Sequence, residues 1–232
     1  MTAVTRQTLT DRVAEGVLEL IFEEEIGVGE PLPSSAALAK RFDVSVVVIR
    51  EAMATLAGRG ILNRRQGRES VVAMPGHEML SATLSHRAKQ ELITHDELLQ
   101  CRAGLELQSA VLAAAQGTPD GRRAVLEQAL DRMRKARDRD AFNAADLQFH
   151  ADLASLSGNR ALVLILSSLH SVIRDELFRR IRRLSAAERR ESVERHARIA
   201  RAVALGDRRG SAEAMAAHFE HAVGGLDIGR AG

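Results

Sequence analysis

The chain has 232 residues, of which 45% are hydrophobic and 28% are charged, values that are ordinary for a soluble protein. That length accommodates one large domain or two modest ones, each with a buried core. The single cysteine, Cys101, excludes an intramolecular disulfide and indicates a reducing compartment. No apolar run reaches the roughly 18 residues of a membrane span, and the start of the chain lacks a signal-peptide core, so we expect a cytoplasmic protein.

The net charge of +2 is too small by itself to indicate binding to nucleic acid. Its distribution is more informative, because residues 40–68 carry seven basic and two acidic side chains, a local excess of five positive charges. A positive patch of this kind can contact DNA phosphates, but a charge cluster alone is more often a solvated surface. The elements predicted around the cluster therefore decide its interpretation.

The first helix is predicted from Thr8 to about Glu25, with glycines and a proline ending it. Two short helices follow, and Ser34 and Ser45 are placed to cap them, since a serine oxygen can accept an otherwise unpaired backbone N–H. Gly60 ends the second of these helices. Its apolar stripe is predicted to contain Val48, Ala52 and Leu56, with Val44 and Ile49 as further candidates.

Two strands are predicted next, over 61–65 and 70–72, around the turn at Gln66-Gly67-Arg68. Helix, short turn, helix and basic hairpin form the outline of a winged helix-turn-helix, whose second helix enters the major groove of DNA. Met74-Pro75-Gly76 is the best domain boundary in the sequence. We therefore predict a DNA-binding domain over 1–74 and a second domain over 75–232.

The second domain has helical periodicity throughout, which predicts a mostly α protein with an antiparallel bundle of six or seven helices. Capping boxes begin two of the helices, one at Thr94 with Glu97 and one at Ser185 with Glu188. A continuous apolar run at 161–166 suggests a helix that is buried on most sides. The predicted helices cover about 79–87, 94–116, 118–139, 142–156, 160–183, 185–206 and 208–223.

Four polar residues of this bundle are candidate metal ligands. Asp146 and His150 lie four residues apart, so both side chains leave one face of a helix, and His196 and His218 lie on the last two helices. Three imidazoles and one carboxylate suit a divalent transition metal such as Zn²⁺, with Ni²⁺ or Mn²⁺ as alternatives. Spacing alone leaves open the commoner interpretation, a core histidine satisfied by hydrogen bonds, and His221 is a competing ligand.

Short motifs in both parts of the chain resemble those of bacterial GntR-type transcription regulators of the FadR subfamily. The first set is Leu32-Pro33-Ser34, Phe42-Asp43-Val44-Ser45, Val48-Ile49-Arg50-Glu51-Ala52 and Arg64-Arg65-Gln66-Gly67-Arg68. The second set is Cys101-Arg102-Ala103-Gly104-Leu105-Glu106, Asp146-Leu147-Gln148-Phe149-His150, Ser157-Gly158-Asn159, Glu194-Arg195-His196 and Met215-Ala216-Ala217-His218. The order of the second set resembles the metal-binding FCD effector domain of that subfamily.

The resemblance implies a homodimer that binds a palindromic operator in double-stranded DNA through paired winged domains. It implies that Asp146, His150, His196 and His218 ligate the metal, and that a small carboxylate metabolite enters the bundle. Arg102 matches a family position that reaches the effector, and Arg174 is a second candidate; the alternative for Arg102 is a helix-surface ion pair with Glu106. The other histidines, His77, His86, His95, His170 and His221, fall outside the pattern and are interpreted as structural or surface residues.

The resemblance places DNA contacts at Ser34, Ser45, Val46, Arg50, Arg65, Gln66, Gly67 and Arg68. The family pattern leads us to expect an arginine at two positions where this chain has another residue. These are Ala36, two residues after Ser34, and Val46, directly after Ser45. A good bidentate arginine–guanine contact contributes about 1–3 kcal/mol of discrimination, so these replacements weaken or redirect recognition. Two alternatives to a regulator follow: a bundle metalloenzyme, for which no di-iron or nucleophile–base pattern is present in the sequence, and a metal-dependent sensor whose DNA-binding part has altered specificity.

Overall fold

The computed structural model describes residues 7–63, 69–116, 120–180 and 185–222 of the chain. The chain separates into two compact units, Met1–Met79 and Leu80–Gly232, which we call the head and the bundle. The boundary predicted after residue 74 falls just before this division. No helix in the described ranges combines the length and the apolarity needed to cross a membrane.

The head contains three helices and a small antiparallel sheet, as the sequence predicts. Ser34 caps the second helix by accepting a hydrogen bond from the backbone N–H of Ala37 at 3.2 Å. Ser45 caps the third by accepting from the N–H of Val48 at 3.3 Å. Both predicted caps are confirmed. The elements are α1 (Leu9–Glu23), α2 (Ser35–Phe42), α3 (Val46–Gly58), β1 (Leu62–Asn63) and β2 (Val71–Val72).

The core of the head lies where α3 packs against α1 and α2. The fully buried stripe of α3 differs slightly from the predicted one, because Val48 lies at the edge of the stripe and is only half-buried. A helix that packs on two neighbours needs a broad apolar face, and the stripe therefore extends to a methionine that the pattern did not include. Its buried members are Ile49, Ala52, Met53 and Leu56.

The two strands of the wing pair in register, Leu62 with Val72 and Asn63 with Val71. The segment before α2 joins this hairpin, since the N–H of Leu32 donates to the carbonyl of Ser70 at 2.9 Å. The sheet is therefore attached to the same segment that positions the start of α2. The predicted turn at Gln66-Gly67-Arg68 lies outside the described residues.

Seven helices form the described part of the bundle, in agreement with the predicted architecture. Both predicted capping boxes are present, at Thr94 with Glu97 and at Ser185 with Glu188. α5 is central, because it packs against four other helices, α7, α8, α9 and α10. The helices are α4 (Glu78–Lys89), α5 (His95–Ala115), α6 (Asp120–Lys135), α7 (Arg139–Leu156), α8 (Arg160–Arg180), α9 (Ala186–Ala204) and α10 (Arg208–Ala222).

One expectation about α8 is wrong. The apolar run at 161–166 is not buried on most sides, because Leu164 is 44% exposed while Leu162 and Leu166 are buried. The helix therefore buries one stripe, which packs with α5 in a core separate from the one around Phe149. A continuous apolar run fixes neither the number of buried faces nor their direction. The predicted helix start at Thr118-Pro119 lies outside the described residues.

Candidate functional site

Three buried histidines from three helices converge inside the bundle. His150 comes from α7, His196 from α9 and His218 from α10, and one ring nitrogen of each lies within 4.8 Å of the others. The Nε2 atoms of His150 and His196 are 3.2 Å apart. The rings of His196 and His218 are also close, with centroids 4.5 Å apart. Their helices pack against α5 or against each other, so the fold itself brings the three rings together.

Asp146 lies one turn before His150 on α7 and joins the same cluster. Its Oδ1 is 3.1 Å from Nε2 of His196, and its Oδ2 is 4.0 Å from Nε2 of His150. Burial raises the pKa of this carboxyl, but the nearby His196 and the other histidines lower it further, so the net pKa is below its ordinary value. The structure thus brings together all four residues that the sequence proposes as ligands, with the carboxylate ionised at neutral pH.

The hydrogen bonds around these rings determine which nitrogens carry protons. Nδ1 of His196 is 2.7 Å from the backbone carbonyl oxygen of Ser192, and a carbonyl can only accept, so this nitrogen is protonated. Nδ1 of His150 contacts the Glu106 carboxylate, which is likewise an acceptor. In neutral rings, both Nε2 atoms therefore present lone pairs to each other across 3.2 Å. Asp146 adds a third acceptor beside them.

Three acceptors that face one another require a cation between them. Burial lowers the pKa of His150 despite the opposing Glu106, so this ring favours its neutral form. Burial and the neighbouring imidazoles lower the pKa of His218 well below its ordinary value, so this ring is also neutral. Nδ1 of His218 is also buried and lacks a hydrogen-bond partner among the described residues. Neutral imidazoles and a carboxylate are the ligands that divalent transition metals take in proteins, so the donor set fits such an ion.

Glu106 on α5 contacts two buried histidines, a role that the sequence alone does not identify. Its Oε1 accepts from Nε of Arg102 at 2.6 Å and lies 2.8 Å from Nε2 of His170, and its Oε2 contacts Nδ1 of His150. Burial raises the pKa of this carboxyl, but Arg102 and His150 lower it more, so it lies well below its ordinary value. The signal that could identify Glu106 is its position on the buried stripe of α5, which contains Leu98, Arg102, Glu106, Ser109, Ala110 and Ala113.

Arg102 forms the i, i+4 ion pair with Glu106 that the sequence offers as an alternative to an effector role, but the pair is not on the surface. The side chains of Arg102 and Glu106 are only 7% and 1% exposed. Nη2 of Arg102 is buried without a hydrogen-bond partner among the described residues, and the guanidinium carbon lies 5.4 Å from the centre of the Phe219 ring. Arg102 therefore has donor capacity left over beside the histidine cluster. Arg174, by contrast, is exposed on α8.

The histidines outside the predicted ligand set occupy varied environments. His170 is buried and, through its contact with Glu106, belongs to the surroundings of the cluster. His86 is exposed on α4, and His77 and His95 are half-buried. The side chain of His221 lies outside the described part of the chain. Within that part, the mutual cluster consists of His150, His196 and His218.

The structure describes four of the proposed DNA-contacting residues, and three of these four lie at the surface of the head. Ser34, Ser45 and Arg50 are exposed, as is Ala36. Val46 is half-buried and packs against the core of the head. The next residue, Val47, is 61% exposed, so at the start of α3 it is the valine that is free to meet a base edge. Arg65, Gln66, Gly67 and Arg68 lie outside the described residues.

Comparisons with known proteins agree with both units. Residues 9–72 match the family model for bacterial regulatory proteins of the gntR family, and residues 97–221 match the FCD domain. The Glc operon transcriptional activator of Escherichia coli strain K12 is 32% identical over 206 residues, covering 85% of this chain and 81% of that protein. The transcriptional repressor NanR of Enterobacter sp. strain 638 is 32% identical over 191 residues, covering 80% and 71%.

A solved structure extends this likeness to the fold. A GntR protein of Streptococcus agalactiae superimposes with a TM-score of 0.65 at 25% sequence identity, covering 94% of this chain and all of that one. The gntR match lies within the head, and the FCD match lies within the bundle.

Proposed function

Because this chain belongs to the GntR family of bacterial regulatory proteins and is a DNA-binding transcription regulator with an FCD domain, we propose how it is controlled. A small carboxylate metabolite binds at a metal site in the bundle of a homodimer and changes the affinity of the heads for their operator. The observation that carries this proposal is the convergence of the His150 and His196 lone pairs and the Asp146 carboxylate on one point, which calls for a cation.

The proposed ligands of the metal are Asp146, His150, His196 and His218. Zn²⁺ suits three imidazoles and a carboxylate best, Ni²⁺ also takes imidazole donors, and Mn²⁺ is the weaker alternative because it prefers oxygen donors. A bound ion of this type supplies a Lewis-acidic position at which a carboxylate oxygen can bind. The carbonyl of Ser192 and the carboxylate of Glu106 hold two of the rings with their Nε2 atoms toward that position.

Arg102 is the proposed contact for the carboxylate of the effector. Its Nε is committed to Glu106, but its buried Nη2 has no partner among the described residues, and an anion would satisfy it. A guanidinium binds a carboxylate through charge-assisted hydrogen bonds with a defined geometry. Arg174 remains a second proposed contact, with less support because it is exposed.

The proposed operator contacts come from the start of α3 and from the wing. The amino-terminal residues of a recognition helix contact base edges, and Arg50 is exposed there one turn after Val46. Val46, at the position where the family resemblance implies an arginine, or the more exposed Val47 would contact a thymine methyl group. The relatives include an activator and a repressor, so the similarity supports regulation without choosing its direction.

A genomic fragment library tests this proposal directly. Purified protein, confirmed as a dimer by light scattering, is expected to retain specific fragments at moderate salt. A thermal-shift screen of small carboxylates against metal-loaded protein then identifies effectors, since a ligand of the folded state raises its apparent stability. A positive compound is expected to change fragment retention. The proposal fails if no fragment is retained above nonspecific background, with or without metal and effector.

One specific observation favours a second candidate, a metal-dependent sensor with a weakened head. The family resemblance implies arginines at the positions of Ala36 and Val46, and Ala36 offers no group that could read a base. The same experiment separates the two candidates. Binding of metal and a carboxylate without retention of any fragment would favour the sensor, whereas retention that responds to the carboxylate favours the regulator.

A further inference from the structure

We propose that Glu106 is a positioning residue of the metal site, which fixes the tautomer and orientation of His150 and connects that ligand to Arg102. The inference rests on the proposed function, because it assumes that His150 is a metal ligand. It adds a residue that contacts neither the metal nor DNA, and that the ligand pattern Asp146, His150, His196 and His218 does not include.

The two oxygens of Glu106 have different partners. Oε2 contacts Nδ1 of His150, and because a carboxylate oxygen can only accept, this contact favours the tautomer that carries its proton on Nδ1 and leaves the Nε2 lone pair free for a metal. Oε1 is shared by Nε of Arg102 at 2.6 Å and Nε2 of His170 at 2.8 Å. A carboxylate held from α5 by one arginine and by a histidine of α8 cannot easily turn away from the ligand on α7. Contacts from two helices therefore hold Glu106 in place, and Glu106 presents a fixed acceptor to His150.

Burial makes Glu106 difficult to replace as the acceptor for His150. The side chain of Glu106 is only 1% exposed, so water does not readily replace its oxygens as acceptors. Metal-bound histidines usually donate their second ring nitrogen to a carboxylate or carbonyl, and loss of that partner typically weakens metal binding about 10- to 100-fold. His196 uses the carbonyl of Ser192 for this purpose, and His150 uses Glu106. The two ligands are thus held by different kinds of acceptor.

The same carboxylate contacts the proposed effector ligand. Arg102 reaches Glu106 through Nε, while its Nη2 is buried without a partner among the described residues. An anion that engages Nη2 would therefore act on a guanidinium already bonded to the carboxylate that holds His150. This connection runs through three side chains, those of Arg102, Glu106 and His150, and does not require a helix to move.

Glu106→Gln removes the charge while nearly preserving the shape of the side chain. Because the guanidinium of Arg102 can only donate, the amide oxygen of the glutamine is expected to face Arg102 and its NH₂ to face His150, donor against donor. If the NH₂ faces His150, the ring has to accept at Nδ1 and carry its proton on Nε2, where the metal would bind. We therefore expect Glu106→Gln to weaken metal binding about 10- to 100-fold.

Zn²⁺ affinity of the full chain, measured by competition with a chromophoric chelator, gives the test. Asp152→Asn is the matched control, since Asp152 is a half-buried carboxylate on α7 that pairs with Arg132 at 2.7 Å and accepts from Gln148 at 2.8 Å, two residues outside the histidine cluster. We expect wild-type affinity in the control, a large loss in Glu106→Gln and an intermediate affinity in Glu106→Asp, which restores the charge. Unchanged affinity in Glu106→Gln would overturn the inference while leaving the metal site intact.

The tautomer of His150 in metal-free protein gives a readout that general destabilisation would not move. ¹⁵N-histidine NMR, with His150→Ala used to assign the signal, is expected to show the proton on Nδ1 in the wild type and on Nε2 in Glu106→Gln. If Glu106→Gln does not fold, the wild-type spectrum decides, because a proton on Nε2 would overturn the inference. Failure of the wild type to bind Zn²⁺ would instead overturn the proposed metal site itself.

Discussion

The head and the bundle differ in where they place their polar residues. Among the described residues, every buried polar or charged side chain belongs to the bundle, and the buried core of the head is entirely apolar. Buried polar groups are costly unless they are satisfied, so the bundle carries a cost that a purely structural domain would avoid. The difference supports the proposal that the head acts through its surface and the bundle through its interior.

The largest expected effect comes from removing two of the proposed metal ligands. A His150→Ala/His196→Ala variant loses both facing Nε2 atoms, and we expect it to purify without stoichiometric metal. Elemental analysis measures the metal content, and circular dichroism checks that the helices remain. His86→Ala is the control, because His86 is exposed on α4. Equal metal content in the double variant and the control would refute the interior site.

The next effect concerns packing around the cluster. Phe149 is fully buried and meets the ring of His196 edge-on, with centroids 4.8 Å apart. Phe149→Ala is expected to lower the free energy of unfolding of the bundle by about 3–5 kcal/mol, through lost burial and the cavity left behind. Phe22 of the head is 79% exposed, and Phe22→Ala is expected to change the free energy of unfolding of the head by less than about 0.5 kcal/mol. Chemical denaturation of both variants measures the difference, and similar losses would contradict it.

The head and the bundle also differ in how much of their structure the sequence could predict. In the head, capping serines and an apolar stripe act over a few residues, so Ser34 and Ser45 could be assigned as caps from the local pattern. The error there was one of detail, since Met53 rather than Val48 completes the buried stripe. Local rules fix which residues form a helix, but the width of its buried face depends on its neighbours.

In the bundle, the helices could be predicted but their mutual contacts could not. The candidate ligands came from a spacing and a family resemblance, and the structure brings them together. Arg102 and Glu106, four residues apart, have the spacing of an ordinary surface ion pair, and nothing local distinguishes a buried pair from an exposed one. His170 reaches Glu106 from 64 residues away, a contact that only the packing of α8 on α5 creates.

A third prediction tests the surface of the head. Arg50→Ala removes an exposed guanidinium near the start of α3, and we expect it to abolish specific operator binding while leaving the dimer intact. One lost bidentate contact costs about 1–3 kcal/mol per head. Arg59→Ala removes the same charge from the far end of α3, so it reports the effect of charge alone. Gel-shift titrations with a retained fragment compare the two, and equal losses would contradict a base-reading role for Arg50.

The smallest effect separates two roles of one exposed residue. Ser45 caps α3 and is also a proposed DNA contact, and its two roles respond differently to substitution. Ser45→Ala loses the cap and is expected to lower the free energy of unfolding by about 1 kcal/mol. Ser45→Asp keeps a capping oxygen and places a negative charge at a helix amino terminus, so stability is retained.

For DNA binding, the ranking of Ser45→Ala and Ser45→Asp is expected to be the reverse of their ranking by stability. The aspartate of Ser45→Asp would face phosphates and weaken operator binding, whereas Ser45→Ala removes only a neutral hydroxyl and leaves the charge of the surface unchanged. Thermal denaturation and gel-shift titration of the same two variants therefore give opposite rankings if the start of α3 lies against DNA. Matching rankings would mean that Ser45 acts only within the head, and that the DNA-binding surface lies elsewhere on it.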